Sequence, residues 1–115
     1  MKTIKLRQMA HARAGDKGNT SNICVFPYRD EDYDLMLEML TVDRVREKFG
    51  EIVKGNITRY EAPVLKALNF VLEEALNGGV SRSLSLDRHG KSFSVLMMDI
   101  DIHVPDDYVP PRTQV

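Results

Sequence analysis

The stretch from His11 to Asn22 concentrates most of the side chains that could do chemistry in this sequence. It holds His11, Arg13, Asp16, Lys17, Asn19 and Asn22 around Gly15 and Gly18. Glycines let a backbone turn and approach a ligand closely, and successive N–H groups in such a turn can cradle an anion. Arg13 and Lys17 would add charge-assisted hydrogen bonds to a carboxylate or phosphate. His11 and Asp16 are the candidate general acid–base groups. The spacing matches neither G-x-x-x-x-G-K-[ST] nor G-x-G-x-x-G, so this is not a known nucleotide-phosphate loop. A plain alternative is a polar connection whose Asp16 and Asn19 bond their own backbone.

Further candidates lie beyond this loop. Arg59-Tyr60-Glu61 reads either as an edge-strand ion pair or as part of a binding site. In Gly78-Gly79-Val80-Ser81-Arg82-Ser83 the glycines suit a helix stop, while Arg82 between Ser81 and Ser83 suits an anionic group. Cys24, in an apolar run, reads as an inert buried thiol. His11, His89 and His103 are too widely spaced for a metal motif, so no metal and no cofactor is expected.

These groups need elements to position them. Alternation marks a strand over residues 3–9, and an apolar run marks another over 23–26, stopped by Pro27. Tyr33, Met36, Leu37 and Leu40 recur at helical spacing after Asp32. Thr41 caps a second helix carrying Val42, Val45 and Phe49, and Gly50 ends it. Residues 51–60 read as a strand. Residues 63–76 read as the strongest helix, with Pro63 in its first turn and a stripe of Val64, Leu65, Leu68, Val71, Leu72 and Ala75. On that helix Phe70 falls on the exposed side, a protein-contact candidate, and Asn69 falls at the stripe's border. The carboxyl part reads as a hairpin of strands 80–86 and 93–103 with a turn at 87–91. An extended, poorly ordered tail follows from Pro105, which bounds the domain at residues 1–104. The sum is an α+β two-layer sandwich, with two to three helices on one face of a mostly antiparallel sheet. Its other face is open to solvent or to a partner.

Composition narrows the class. At 115 residues and 43% hydrophobic content the chain suits one domain, small for an enzyme that must enclose a substrate alone. A net charge of -1 is not that of a general nucleic-acid binder. It conceals +4 over residues 1–20 and -4 over residues 29–47. The single cysteine excludes an internal disulfide. No membrane span or targeting segment is visible, so a cytoplasmic protein is the expectation.

Taken together, Ala12-Arg13-Ala14-Gly15-Asp16-Lys17-Gly18-Asn19, Arg59-Tyr60-Glu61, Ala67-Leu68-Asn69-Phe70-Val71-Leu72 and Gly78-Gly79-Val80-Ser81-Arg82-Ser83-Leu84 resemble the small ferredoxin-fold domain of the AtuA-like (acyclic terpene utilisation) family. The resemblance runs from about Leu6 to His103. It implies a ferredoxin-like fold and a link to the breakdown of acyclic terpenes and other acids carried as coenzyme A thioesters. It carries over Arg13, Gly15, Asp16, Lys17, Gly18, Asn19, Arg59, Asn69 and Arg82 as a shared site or interface, without assigning a reaction. Family members often have Ser at Ala14, His at Lys66 and Gly at Cys24, so no hydroxyl or imidazole role carries over to Ala14 or Lys66.

Three functional expectations follow. The first is an accessory subunit docking on an AtuA-like large chain, with a coenzyme A thioester or related carboxylate as substrate. There Arg13, Lys17 and Arg82 would meet the anion, with Asn22 and Ser81 nearby. The second is an independent homo-oligomeric hydratase or isomerase using His11 or Asp16. The third is a purely structural interaction module.

Overall fold

A computed structural model describes residues 1–17, 20–74 and 92–112. Among the described residues, six strands in two antiparallel sheets and three α-helices surround one hydrophobic cluster. The small sheet pairs β1 (Lys2–Lys5) with β6 (Asp101–Val104). The large sheet has the order β2 (Ala10–Lys17), β3 (Thr20–Pro27), β5 (Ala67–Leu72), β4 (Ile57–Ala62). Helices α1 (Tyr33–Met39), α2 (Val42–Phe49) and α3 (Ser92–Met98) contribute Tyr33, Met36, Val45, Phe49, Phe93 and Met97 to the same core as Ile23, Val25, Leu68, Phe70 and Leu72. The expected α+β sandwich is what the chain forms.

The two early helices follow their sequence signals. Thr41 Oγ1 accepts the Arg44 N–H at 3.2 Å, and Gly50 ends α2 with a positive φ of 58°. Past α2 the chain turns to enter β4. There Gly55 lies so close to Glu73 that a Cβ would meet its carbonyl oxygen at 2.8 Å. The Gly55 N–H donates to that same carbonyl at 2.9 Å, so glycine is required for the approach.

Elsewhere the structure corrects the sequence expectations. The first strand ends at Lys5, and Leu6–Gln8 form a 3-10 turn closed by the Lys5 N–H donating to Gln8 Oε1 at 2.9 Å. The supposed loop at His11 is strand β2, paired residue by residue with β3 from Ala10↔Pro27 to Lys17↔Thr20. The supposed helix 63–76 is a tight turn followed by β5, a central strand hydrogen-bonded on both sides. Leu68, Phe70 and Leu72 alternate inward, so Phe70 is wholly buried and is no exposed contact residue. Residues 93–98, expected as strand, form α3. Phe93 and Met97, four apart, face the core, while the intervening Val95 is exposed. The expected strand 80–86 and its turn lie outside the described residues.

Residues 105–112 carry no regular element, yet they are tied to the body. The Tyr108 hydroxyl donates to buried Asp32 at 2.9 Å, Arg29 donates to the Val109 carbonyl at 2.8 Å, and the Arg112 N–H donates to the Gln8 carbonyl at 3.0 Å. Burial, reinforced by the Asp32 carboxylate, pushes the Tyr108 hydroxyl pKa up to about 12.

Two cations of the basic amino end, Lys5 and Arg7, pair with carboxylates at and just before β6. Asp99 receives Lys48 at 2.7 Å and Arg7 at 3.0 Å, and Lys5 reaches Asp101 at 2.8 Å. Hydrogen bonds from Lys48 and then Arg7 lower the Asp99 pKa from 3.8 to about 2. A depressed carboxylate stabilises the fold above its ordinary value and loses that contribution as pH falls through its folded value. Asp99→Asn is therefore expected to flatten the acid-side fall in stability between roughly pH 4 and pH 2. Urea midpoints measured across that window check it. Solvent screening at these part-exposed groups keeps the effect modest.

Candidate functional site

Register in the large sheet sorts the candidate residues onto two faces. Arg13↔Cys24, Cys24↔Asn69 and Asn69↔Tyr60 form one row across all four strands. Gly15↔Asn22, Asn22↔Val71 and Val71↔Thr58 form the next. Side chains alternate along a strand, so both rows share the face opposite the buried Ile23, Phe70 and Leu72. No residue of these two rows is fully buried, and Arg13, Gly15 and Tyr60 are exposed.

Three features make this face a candidate binding surface. Arg13 has no hydrogen-bond or ion-pair partner among the described residues, so its guanidinium is available to an incoming anion. Asn69 holds its Oδ1 buried without a partner among the described residues, although a buried amide oxygen normally accepts a hydrogen bond. Gly15 lies in extended strand, and a Cβ there would meet nothing within 4 Å. That glycine is not needed for a turn; it leaves bare backbone beside Arg13. Over residues 10–17 the part of the expected loop that includes Gly15 is strand, while Gly18 and Asn19 of that cradle lie outside the described residues.

The other residues of the row are less reactive. Cys24 is half-buried, and desolvation pushes its thiol pKa up, so it stays a neutral thiol. His11 is exposed, with its ring stacked on Phe26 at 5.3 Å and tilted against Tyr28 at 5.2 Å. Arg112 sits over the Tyr28 ring at 4.8 Å, so the tail closes one end of this aromatic series. The contacts His11 makes are ring contacts, without a carboxylate of the kind that orients a catalytic imidazole.

Arg59 stands on the opposite face, in register with Phe70. Its Nη1 donates to the Leu37 carbonyl at 2.7 Å and the Leu40 carbonyl at 2.9 Å, and its Nη2 meets Glu61 at 3.2 Å. These carbonyls close the end of α1, which has no intrahelical donors left for them. Arg59 is thus occupied in holding α1 to β4. Arg59→Ala is expected to cost about 2 kcal/mol, since two carbonyls lose charged donors. Urea unfolding measures it.

Backbone pairing sets Asp16 opposite Ser21 and Lys17 opposite Thr20, at the end of the β2–β3 hairpin. Gly18, Asn19, Ser81 and Arg82 lie outside the described residues. The structure therefore brings Arg13, Asn22 and Asn69 together and separates them from Arg59. Thr58, Tyr60 and Cys24 join the face without having been singled out for it. Their signal is the two-residue period of 58/60 and 22/24, legible once both segments are strands.

A concavity of about 180 Å³ elsewhere on the molecule is lined by Arg44, Glu47, Lys48, Ile100 and Asp101. Lys48 is bound to Asp99, and Arg44 Nη1 donates to the Asp101 carbonyl at 3.4 Å, so its cations are already engaged. Among the described residues no group of three or more His, Cys, Asp or Glu side chains could hold a metal ion. No described helix is long and apolar enough to cross a membrane.

Compared with known proteins, the sequence matches the profile of the AtuA ferredoxin-like domain over residues 4–103. No curated protein matches it, and no solved structure does.

Proposed function

Because the chain belongs to the AtuA ferredoxin-like domain family, we propose that it is the small accessory component of an AtuA-type assembly, and that its open sheet face contacts an anionic ligand. The ligand class is a coenzyme A thioester or a related carboxylate. The assembly works in the breakdown of such acids, with acyclic terpene acids among them, beside an AtuA-like large chain. The observation that carries this reading is that Arg13 and, in the same cross-sheet row, the buried Asn69 Oδ1 both lack a partner among the described residues. An arginine without a partner among the described residues supplies a two-pronged donor for carboxylate or phosphate. The unmet Asn69 acceptor cannot bond the anionic group itself; it supplies the second, orienting contact to an N–H donor, such as an amide of the coenzyme A pantetheine arm.

Calorimetric titration with acetyl-coenzyme A tests the reading. The wild-type chain is expected to bind, and Arg13→Ala to weaken binding about tenfold, the scale of one charge-assisted hydrogen bond. No binding by the wild type, or equal binding by Arg13→Ala, contradicts it.

A further inference from the structure

The open face of the large sheet carries aromatic rings beside the row of Arg13 and Asn69. Phe26 of β3 pairs in register with His11 of β2, and Tyr28 follows two residues beyond Phe26. The His11 ring touches both, with centroids 5.3 Å from Phe26 and 5.2 Å from Tyr28. Aromatic side chains ordinarily bury their large area in a core. Phe26 is only half-buried, and it belongs neither to the hydrophobic core nor to the partly buried side chains packed on it. His11 is exposed, and Tyr28 is 38% exposed. Arg112 covers the Tyr28 end of the series at 4.8 Å. Among the described residues no ring or cation other than His11 meets Phe26, so the Phe26 end stays open. That open end is the one beside the Arg13–Cys24–Asn69 row, two residues along β2 and β3.

We infer that the Phe26–His11–Tyr28 series is a stacking platform for the purine base of a nucleotide, so that the ligand on this face is a coenzyme A thioester held by its nucleotide end and not a simple carboxylate. The inference rests on the anion-site reading and decides between its two ligand classes. A purine presents a flat π-face that stacks on an aromatic ring. Rows two residues apart along a strand are separated by about 7 Å, a step that the sugar between base and phosphate spans. Arg13 then meets the phosphates. Asn69 stands two strands from Arg13, about 10 Å across the sheet. There the arm of the ligand beyond its diphosphate brings an amide N–H, the donor that the buried Asn69 Oδ1 lacks among the described residues. Ring, anion and N–H donor thus follow along the ligand in the order in which platform, Arg13 and Asn69 follow on the sheet. A carboxylate without a nucleotide would leave the rings unused. A nucleic-acid strand would need a long basic track, whereas the described part of this face offers Arg13 and Arg112.

The test titrates the full chain with acetyl-coenzyme A, S-acetylpantetheine and adenosine monophosphate, followed by calorimetry and by the proton resonances of the ligand. With the wild type, the two base protons of acetyl-coenzyme A are expected to move upfield on binding, the ring-current signature of a base over an aromatic face. Phe26→Leu keeps the apolar bulk and removes the ring. It is expected to weaken acetyl-coenzyme A about tenfold, the lower end of what one stacked base contributes, and to leave S-acetylpantetheine within about twofold. Unmoved base protons, equal weakening of both thioesters by Phe26→Leu, or no weakening of acetyl-coenzyme A would each overturn the inference. Adenosine monophosphate bound as tightly as acetyl-coenzyme A would also overturn it, by assigning the rings to a free nucleotide. The two proposals fail separately. Unmoved base protons with acetyl-coenzyme A still weakened by Arg13→Ala leave the anion site without the platform. Shifted base protons with Arg13→Ala binding as the wild type leave the platform without the anion site, and no binding of acetyl-coenzyme A overturns both.

Discussion

Phe70→Ala is expected to lower the unfolding free energy by about 3–5 kcal/mol. Phe70 is wholly buried at the centre of the large sheet, between Ile23 of β3 and Arg59 of β4 in register. Truncation removes the transfer energy of the ring and leaves a cavity that paired strands on both sides cannot close. Against a typical total of about 5–15 kcal/mol for a small domain, that is at least about a fifth of the stability. The companion measurement is Val64→Ala. At this exposed turn position the change is expected to stay within about 0.5 kcal/mol. A helix over residues 63–76 would reverse the order, burying Val64 and exposing Phe70. Urea unfolding of the two variants therefore reports which periodicity the chain obeys.

Asn69→Leu carries the second large effect, and its two readouts move in opposite directions. Leucine keeps the branched outline of asparagine, and the substitution removes a buried acceptor that has no donor among the described residues. Relief of that desolvation cost is expected to stabilise the chain by about 1 kcal/mol. The same change deletes the proposed acceptor for an N–H donor of the ligand's pantetheine arm, so affinity for acetyl-coenzyme A should fall about tenfold. Stability gained with binding lost is the pattern of a residue kept for function. A stabilised variant that binds normally would show that Asn69 plays no part in ligand contact.

The fold was legible where local signals and tertiary pairing agree. Tyr33, Met36 and Leu40 face the core at helical spacing, and Thr41 and Gly50 bracket α2. It was misread where two periods coexist in one segment. Residues 64, 65, 68, 71 and 72 satisfy a helical stripe, while 68, 70 and 72 satisfy a strand. Pairing to β3 and β4 decides for the strand, because a central position satisfies the backbone on both sides and buries three large side chains together. Residues 93–98 show the converse. Phe93, Val95 and Met97 alternate as a strand would, yet only Phe93 and Met97 reach the core.

The site inherits those errors. Arg13, Asn22 and Asn69 were each visible as polar residues in informative places. That they share a face depends on residues 10–17 and 67–72 being strands, which long-range register determines. Arg59 was visible too. Its engagement with the Leu37 and Leu40 carbonyls depends on α1 packing beside β4, a contact across about twenty residues that local pattern does not encode.

The central claim is that the open face of the large sheet receives an anionic thioester or carboxylate. The most direct measurement is amide chemical-shift mapping of the labelled chain during titration with acetyl-coenzyme A. The account predicts saturable shifts clustered on Arg13, Gly15, Asn22, Cys24 and Asn69, with Arg44, Lys48 and Asp101 unmoved. Shifts confined to the Arg44–Asp101 concavity, or none at saturating ligand, would contradict it.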